Sequence, residues 1–204
     1  MSSSERRPTQ CYIDESIHTD ERFVVTSFVF ASGRFDRVVA GVLKKHGLIP
    51  GKDEVKSTAR MDQNPRMRAA RDGLLELAGS KIQVAVYVGP IESWRLGRFG
   101  RAALGKHTLQ ALQSTLIRNS LRPSRLSLYF DRDLFASPRE AVRLFELFHY
   151  LHPCGFHPKE DSRRRLGLQV ADTVANSFGQ ILKEHARGKP KMVEIGGKGT
   201  GKSV

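Results

Sequence analysis

Apolar and polar positions along the 204-residue chain fall into blocks whose period switches between that of a strand and that of a helix. A short apolar segment, 11–14, ends in Asp14-Glu15, and a turn follows over His18 to Arg22. Segment 23–30, Phe-Val-Val-Thr-Ser-Phe-Val-Phe, is rich in β-branched and aromatic residues and predicts a strand pairing back on the first. Phe35, Val38, Val39, Val42 and Leu43 recur at helical spacing, and Gly47 ends that helix. Glu54-Val55-Lys56-Ser57 follows a Pro-Gly turn and predicts a short strand. Pro65 has the fixed φ of a first helical turn and predicts a helix to about Ala78, stopped by Gly79. Segment 82–88 predicts a strand, 104–117 a helix, and 126–130 a strand ending at Asp131. Ser137 as N-cap, Pro138 at the first position and Glu140 at the third begin a helix to about Leu151, which His152-Pro153 closes. The last helix spans 168 to about 186.

Two strands, then helices alternating with strands, define an α/β domain with a mixed sheet, antiparallel at first and later parallel, and helices on both faces. The expected division is a flexible leader over 1–9, one domain over 10–186, and a flexible Gly- and Lys-rich tail over 187–204. The tail run Gly196 to Ser203 matches the GxxxxGK[ST] phosphate-loop pattern formally. The chain ends at Val204, so no helix follows to aim N–H groups at a phosphate, and the run reads as basic tail.

Charge narrows the function. Lys plus Arg total 34 against 21 Asp plus Glu, a net +13, and such a chain attracts polyanions, nucleic acid first among them. From Ser93 to Phe130 there is no acid, but there are Arg95, Arg98, Arg101, Lys106, Arg118, Arg122 and Arg125, with Trp94 and Phe99 interleaved for stacking. Arg163-Arg164-Arg165 adds charge just before the last helix. These side chains are expected to line an approach for phosphates. Cys11 and Cys154 are too few for a disulfide framework, which fits a reducing compartment. The leader has no apolar core, and no apolar run nears the roughly 20 residues of a membrane span, so the expectation is a cytoplasmic protein with no membrane contact. His149 and His152 have the nearest spacing to a transition-metal pair and read as ordinary packing.

Against this positive background stand three carboxylates. Asp14 and Asp131 lie at strand ends, where open α/β sheets carry their chemistry. Asp172 falls 40° from Leu168 at about 100° per residue, at the rim of the last helix's apolar face, where a carboxylate is costly unless paired. Each alone is an ordinary strand-end or rim acid; together they point to divalent-metal chemistry on a phosphodiester.

Tyr12-Ile13-Asp14-Glu15-Ser16, Glu54-Val55-Lys56-Ser57, the strand ending at Asp131, and Ser162 through Leu168-Gln169-Val170-Ala171-Asp172 together resemble the DUF3800 family over residues 10–185. Ile17 stands where that family often has Gly. The resemblance implies an RNase H-like fold and a Mg²⁺ or Mn²⁺ site built from Asp14, Glu54, Asp131 and Asp172, with Lys56 and Gln169 beside it. Asp133 is an alternative to Asp131, and Glu15 is expected to point away from Asp14. Lys56 either orients the nucleophile or phosphate, or neutralises Glu54. The implied function is a metal-dependent nuclease or related phosphodiester-cleaving enzyme. The alternative is a catalytically inactive nucleic-acid-binding subunit of a larger protein or ribonucleoprotein assembly of a mobile element or defence system.

Overall fold

The computed structural model describes residues 7–56, 63–90 and 98–188, without the side chains at 81, 98 and 99. The first six leader residues, Ser57, Trp94, Arg95, the side chains of Arg98 and Phe99, and the tail from residue 189 with its GxxxxGK[ST]-like run lie outside the described residues.

Five strands form one mixed sheet in the order β3-β2-β1-β4-β5. They are β1 (Gln10–His18), β2 (Phe23–Ala31), β3 (Gln83–Pro90), β4 (Ser127–Asp131) and β5 (Gly155–Glu160). β1 sits at the centre, antiparallel to β2 and parallel to β4; β2–β3 is antiparallel and β4–β5 parallel. The helices are α1 (Phe35–Lys45), α2 (Pro65–Lys81), α3 (Arg98–Arg118), α4 (Pro138–Phe145) and α5 (Gly167–Ala186). Strand alternation divides the core. Tyr12 and Val29 pack with α1, α2 and α5 through Val39, Leu74, Leu168 and Val174 on one face. Cys11, Ile13, Phe28 and Phe130 pack with α3 and α4 through Leu109, Leu112, Leu116 and Ala141 on the other. Both faces are therefore covered, as the α/β reading requires. β2 is buried along nearly its whole length, which is why its sequence is a continuous apolar run.

Several boundaries differ from expectation. β1 continues four residues past Asp14, because Glu15 to His18 still pair with Thr26 to Phe23. Glu54 to Lys56 form no strand; the Val55 N–H instead donates to the side chain of Gln169 at 3.0 Å. Gly79 does not stop α2, because burial of Leu74, Leu77 and Ala78 outweighs a glycine penalty of about 1 kcal/mol. The helix expected to reach Leu151 ends at Phe145, and a separate 3₁₀ turn covers His149–Leu151. That break lets Phe145 stack on Phe156 of β5, ring centroids 4.1 Å apart. The caps follow the sequence: Ser137 accepts from the Glu140 N–H at 3.1 Å, and the Glu140 carboxylate accepts from the Ala136 N–H at 3.0 Å.

α5 crosses β1 closely. A β-carbon at Gly167 would stand 2.5 Å from the buried Tyr12 ring, so only glycine permits this approach. The Gly167 N–H is capped by Asp36 at 2.9 Å, and Ser27 donates to the Ala171 carbonyl at 2.7 Å, which ties the helix to β2 one residue before Asp172.

Candidate active site

The site arises from an offset between two neighbouring strands. The parallel pairing of β1 with β4 ends at Ile13–Phe130, and β4 stops one residue later at Asp131, whereas β1 runs on to His18. Asp14 is thus a strand end only toward β4. Beyond Ile13 the β4 side of β1 is open, and a cleft of about 180 Å³ forms there. Asp14, Glu15, Glu54, Lys56, Asp131 and Asp172 line it, with Asp133, Ser162 and Gln169. The four acids expected from sequence, Asp14, Glu54, Asp131 and Asp172, therefore share one cleft.

Glu15, not among the four expected acids, also lines the cleft. Its side chain does alternate away from Asp14, toward the α3 face, yet both border the opening because no β4 residue lies beside them. One Glu15 carboxylate oxygen, Oε2, is buried without a hydrogen-bond partner. Burial, then Asp131, pushes the Glu15 carboxyl up to about 8, with Asp133 adding to the rise and Arg101 opposing it. Burial pushes Asp14 well above the usual carboxylate range, and the charges of Glu15, Asp131 and Asp172 add to this. Asp131 is raised mainly by burial, with Asp133 adding and Lys56 opposing. Asp131 and Asp133 both reach the cleft: the Asp131 carboxylate accepts from the Asp133 N–H at 3.1 Å, and Asp133 is the more exposed.

Glu54 is the most neutralised of the acids. Lys56 Nζ lies 3.3 Å and Arg163 Nε 3.4 Å from its carboxylate, and Ser162 Oγ donates to it. Of the two roles open to Lys56, the contact seen is the pairing with Glu54. Gln169, 1% exposed, holds this corner together. Its oxygen accepts from the Val55 N–H and its Nε2 donates to the Ser162 carbonyl, both at 3.0 Å. Gln169→Leu would strand both backbone groups at a cost of about 1–3 kcal/mol each. Urea unfolding should accordingly show a lower midpoint with little change in slope.

The basic residues divide. Arg101, on the first turn of α3, is exposed and close enough to bear on Glu15, and Lys106 and Arg164 are exposed. Arg163 is tied to Glu54. Arg165 is tied to Asp36 and Glu160, at 3.9 and 3.7 Å, and lies over the Tyr129 ring at 4.6 Å, so its guanidinium secures the β4–β5 edge. Arg118, Arg122 and Arg125 do not line the approach as expected. They lie at the far end of α3 and before β4, at the opposite end of the sheet from Asp131. His149 and His152 pack edge to face, as ordinary packing partners do.

As placed, no three of the described His, Cys, Asp and Glu side chains converge on one metal position. The donor chemistry nonetheless fits a hard divalent cation: the cleft offers carboxylate oxygens, mutually repelling, one of them buried and unpartnered. Among the described residues no helix is long and apolar enough to cross a membrane.

No family model matches the chain, and no curated protein matches it. Among solved structures, it is similar to a chain of the complex of PCNA with RNase HII from Archaeoglobus fulgidus. The identity is 14%, the TM-score 0.51, and the match covers 94% of this chain and 83% of that one. The strand order, the pairing directions and this likeness define an RNase H-like α/β fold.

Proposed function

We propose that the protein is a divalent-metal-dependent nuclease, or a related phosphodiester-cleaving enzyme, acting on nucleic acid at the β1–β4 cleft. The observation that carries this reading is the gathering of carboxylates from three separate elements, β1, β4 and α5, whose burial and repulsion make each of Asp14, Glu15 and Asp131 reluctant to ionise alone. A fold spends stability on such a cluster where a cation or a proton is meant to enter it. The fold, the net charge of +13 and the resemblance of the sequence motifs to the DUF3800 family support the same reading.

Asp14, Glu15, Asp131 and Asp172 would hold Mg²⁺ or Mn²⁺. Bound there, the metal supplies activation of water and stabilisation of the leaving oxygen. The chain's own groups do the rest. Arg101 faces incoming phosphate, and Lys56, while neutralising Glu54, presents an ammonium to the cleft. Gln169 and Ser162 keep the 54–56 segment against α5.

A second reading, a nucleic-acid-binding subunit without turnover, draws on the full engagement of Glu54 and on the carboxylates that do not converge as placed. Incubation of the protein with single- and double-stranded DNA and RNA in Mg²⁺, Mn²⁺ or EDTA separates the two. The nuclease reading expects cleavage in at least one metal and none in EDTA. Binding without cleavage on every substrate would leave the second.

A further inference from the structure

At the end of the sheet away from the carboxylates lies a larger cleft, about 480 Å³, where the chain enters β1, leaves α3 and enters β4. Arg7, Arg122 and Arg125 line it, with Gln83, Asn119 and Ser120 offering neutral polar groups and no carboxylate among the described lining side chains. None of the three guanidiniums has an acid partner among the described residues, in contrast to Arg163 and Arg165. Among the described residues none of the three donates a side-chain hydrogen bond to the carbonyl end of α3. The carbonyls of Thr115, Leu116 and Ile117 already accept from the backbone N–H groups of Asn119, Leu121 and Ser120 at 3.0–3.1 Å. Three exposed guanidiniums thus line one cleft, and an anion bound there would relieve their mutual repulsion.

We propose that this cleft is a second phosphate-binding site, which holds nucleic acid beyond the segment lying over the carboxylates. The inference rests on nucleic acid being the ligand of the acidic cleft, not on cleavage. From Leu126 to Asp131 the strand rises about 17 Å, at 3.3 Å per residue. That span equals roughly five base-pair steps of 3.4 Å, a short stretch of duplex. Guanidinium forks suit this role because they grip phosphate oxygens in pairs.

The test is the salt dependence of binding, measured in EDTA by fluorescence anisotropy with a labelled duplex of about two helical turns. The Arg122→Gln/Arg125→Gln variant keeps the side-chain bulk at two exposed positions, and its melting temperature should be no lower than that of the native protein. Loss of two phosphate contacts should lower the magnitude of the negative slope of log K against log salt by about 1.8. The native protein then loses about tenfold more affinity than the variant between 50 and 200 mM salt. The Arg122→Lys/Arg125→Lys variant should keep the native slope. Inorganic phosphate and a mononucleotide, titrated separately, distinguish a free anion as the source. An unchanged duplex slope in the Gln variant overturns the proposal, whether or not the small anions bind. Failure of cleavage in every metal, with the slope lowered as expected, would remove the nuclease reading and leave this one standing.

Discussion

Asp14→Asn and Asp172→Asn are each expected to lower metal-dependent cleavage by at least about a hundredfold. Loss even of groups that only support metal ligands costs 10–100-fold, and these two are proposed as ligands themselves. Asn is nearly isosteric with Asp, so neither change opens a cavity. At position 14 the side-chain oxygen can still accept the Glu15 N–H, now at 2.8 Å, so β1 keeps its local geometry. The two residues reach the cleft from different elements, the central strand and α5, and a loss at both positions cannot come from local damage to one of them. Initial rates in Mn²⁺ and Mg²⁺ are the measurement, paired with duplex binding in EDTA. Binding should stay within about threefold of native, since the removed charges oppose phosphate. Full activity in both variants would make the cluster structural.

Four of the five described strands and most helices were legible because they rest on local patterning. The apolar run at 23–30 and the Ser137-Pro138-Glu140 start need no knowledge of the rest of the chain, and both formed as read. β5 was not legible. Gly155-Phe156-His157-Pro158-Lys159-Glu160 has a proline and little apolar content, and it is a strand only because it lies at the sheet edge, where proline is tolerated. The acidic positions could be read from motif resemblance, but that Glu15 shares their cleft could not. Alternation along β1 turns it away from Asp14, and only the early end of β4 brings both to one opening. The long acid-free stretch misled in another way. Sequence proximity suggested one surface, yet α3 carries Arg118 about 26 Å from Arg101, at 1.5 Å per residue, and so splits the stretch between the two ends of the sheet. Ser162 illustrates the same limit. Nothing in a Ser-Arg-Arg-Arg run marks a partner for Glu54 more than a hundred positions earlier.

Glu15→Gln should stabilise the metal-free protein, and the gain should depend on pH. In the folded chain the Glu15 carboxyl is pushed up to about 8, by burial first and Asp131 second, against roughly 4.3 when unfolded. Below about pH 4 both states hold the proton and the side chain has no linked effect. As pH rises toward 8 the unfolded chain releases that proton while the folded chain retains it, so folding loses stability across this window, and the loss is complete above pH 8. Asp14 and Asp131 are raised as well, and they push in the same direction. The native metal-free protein should therefore melt at a lower temperature at pH 8 than at pH 5. Gln carries no proton to lose and relieves both neighbours, so the variant should be the more stable by on the order of several kcal/mol at pH 8 and equal to native near pH 4. Saturating Mn²⁺ should raise the native melting temperature and narrow the difference, because the cation stabilises only the folded state that binds it. Thermal melts of both proteins at pH 4, 6 and 8, in EDTA and in Mn²⁺ at the upper two values, are the measurement. A variant less stable than native at pH 8 in EDTA would mean that Glu15 is held by attraction to Arg101 rather than strained by its acidic neighbours.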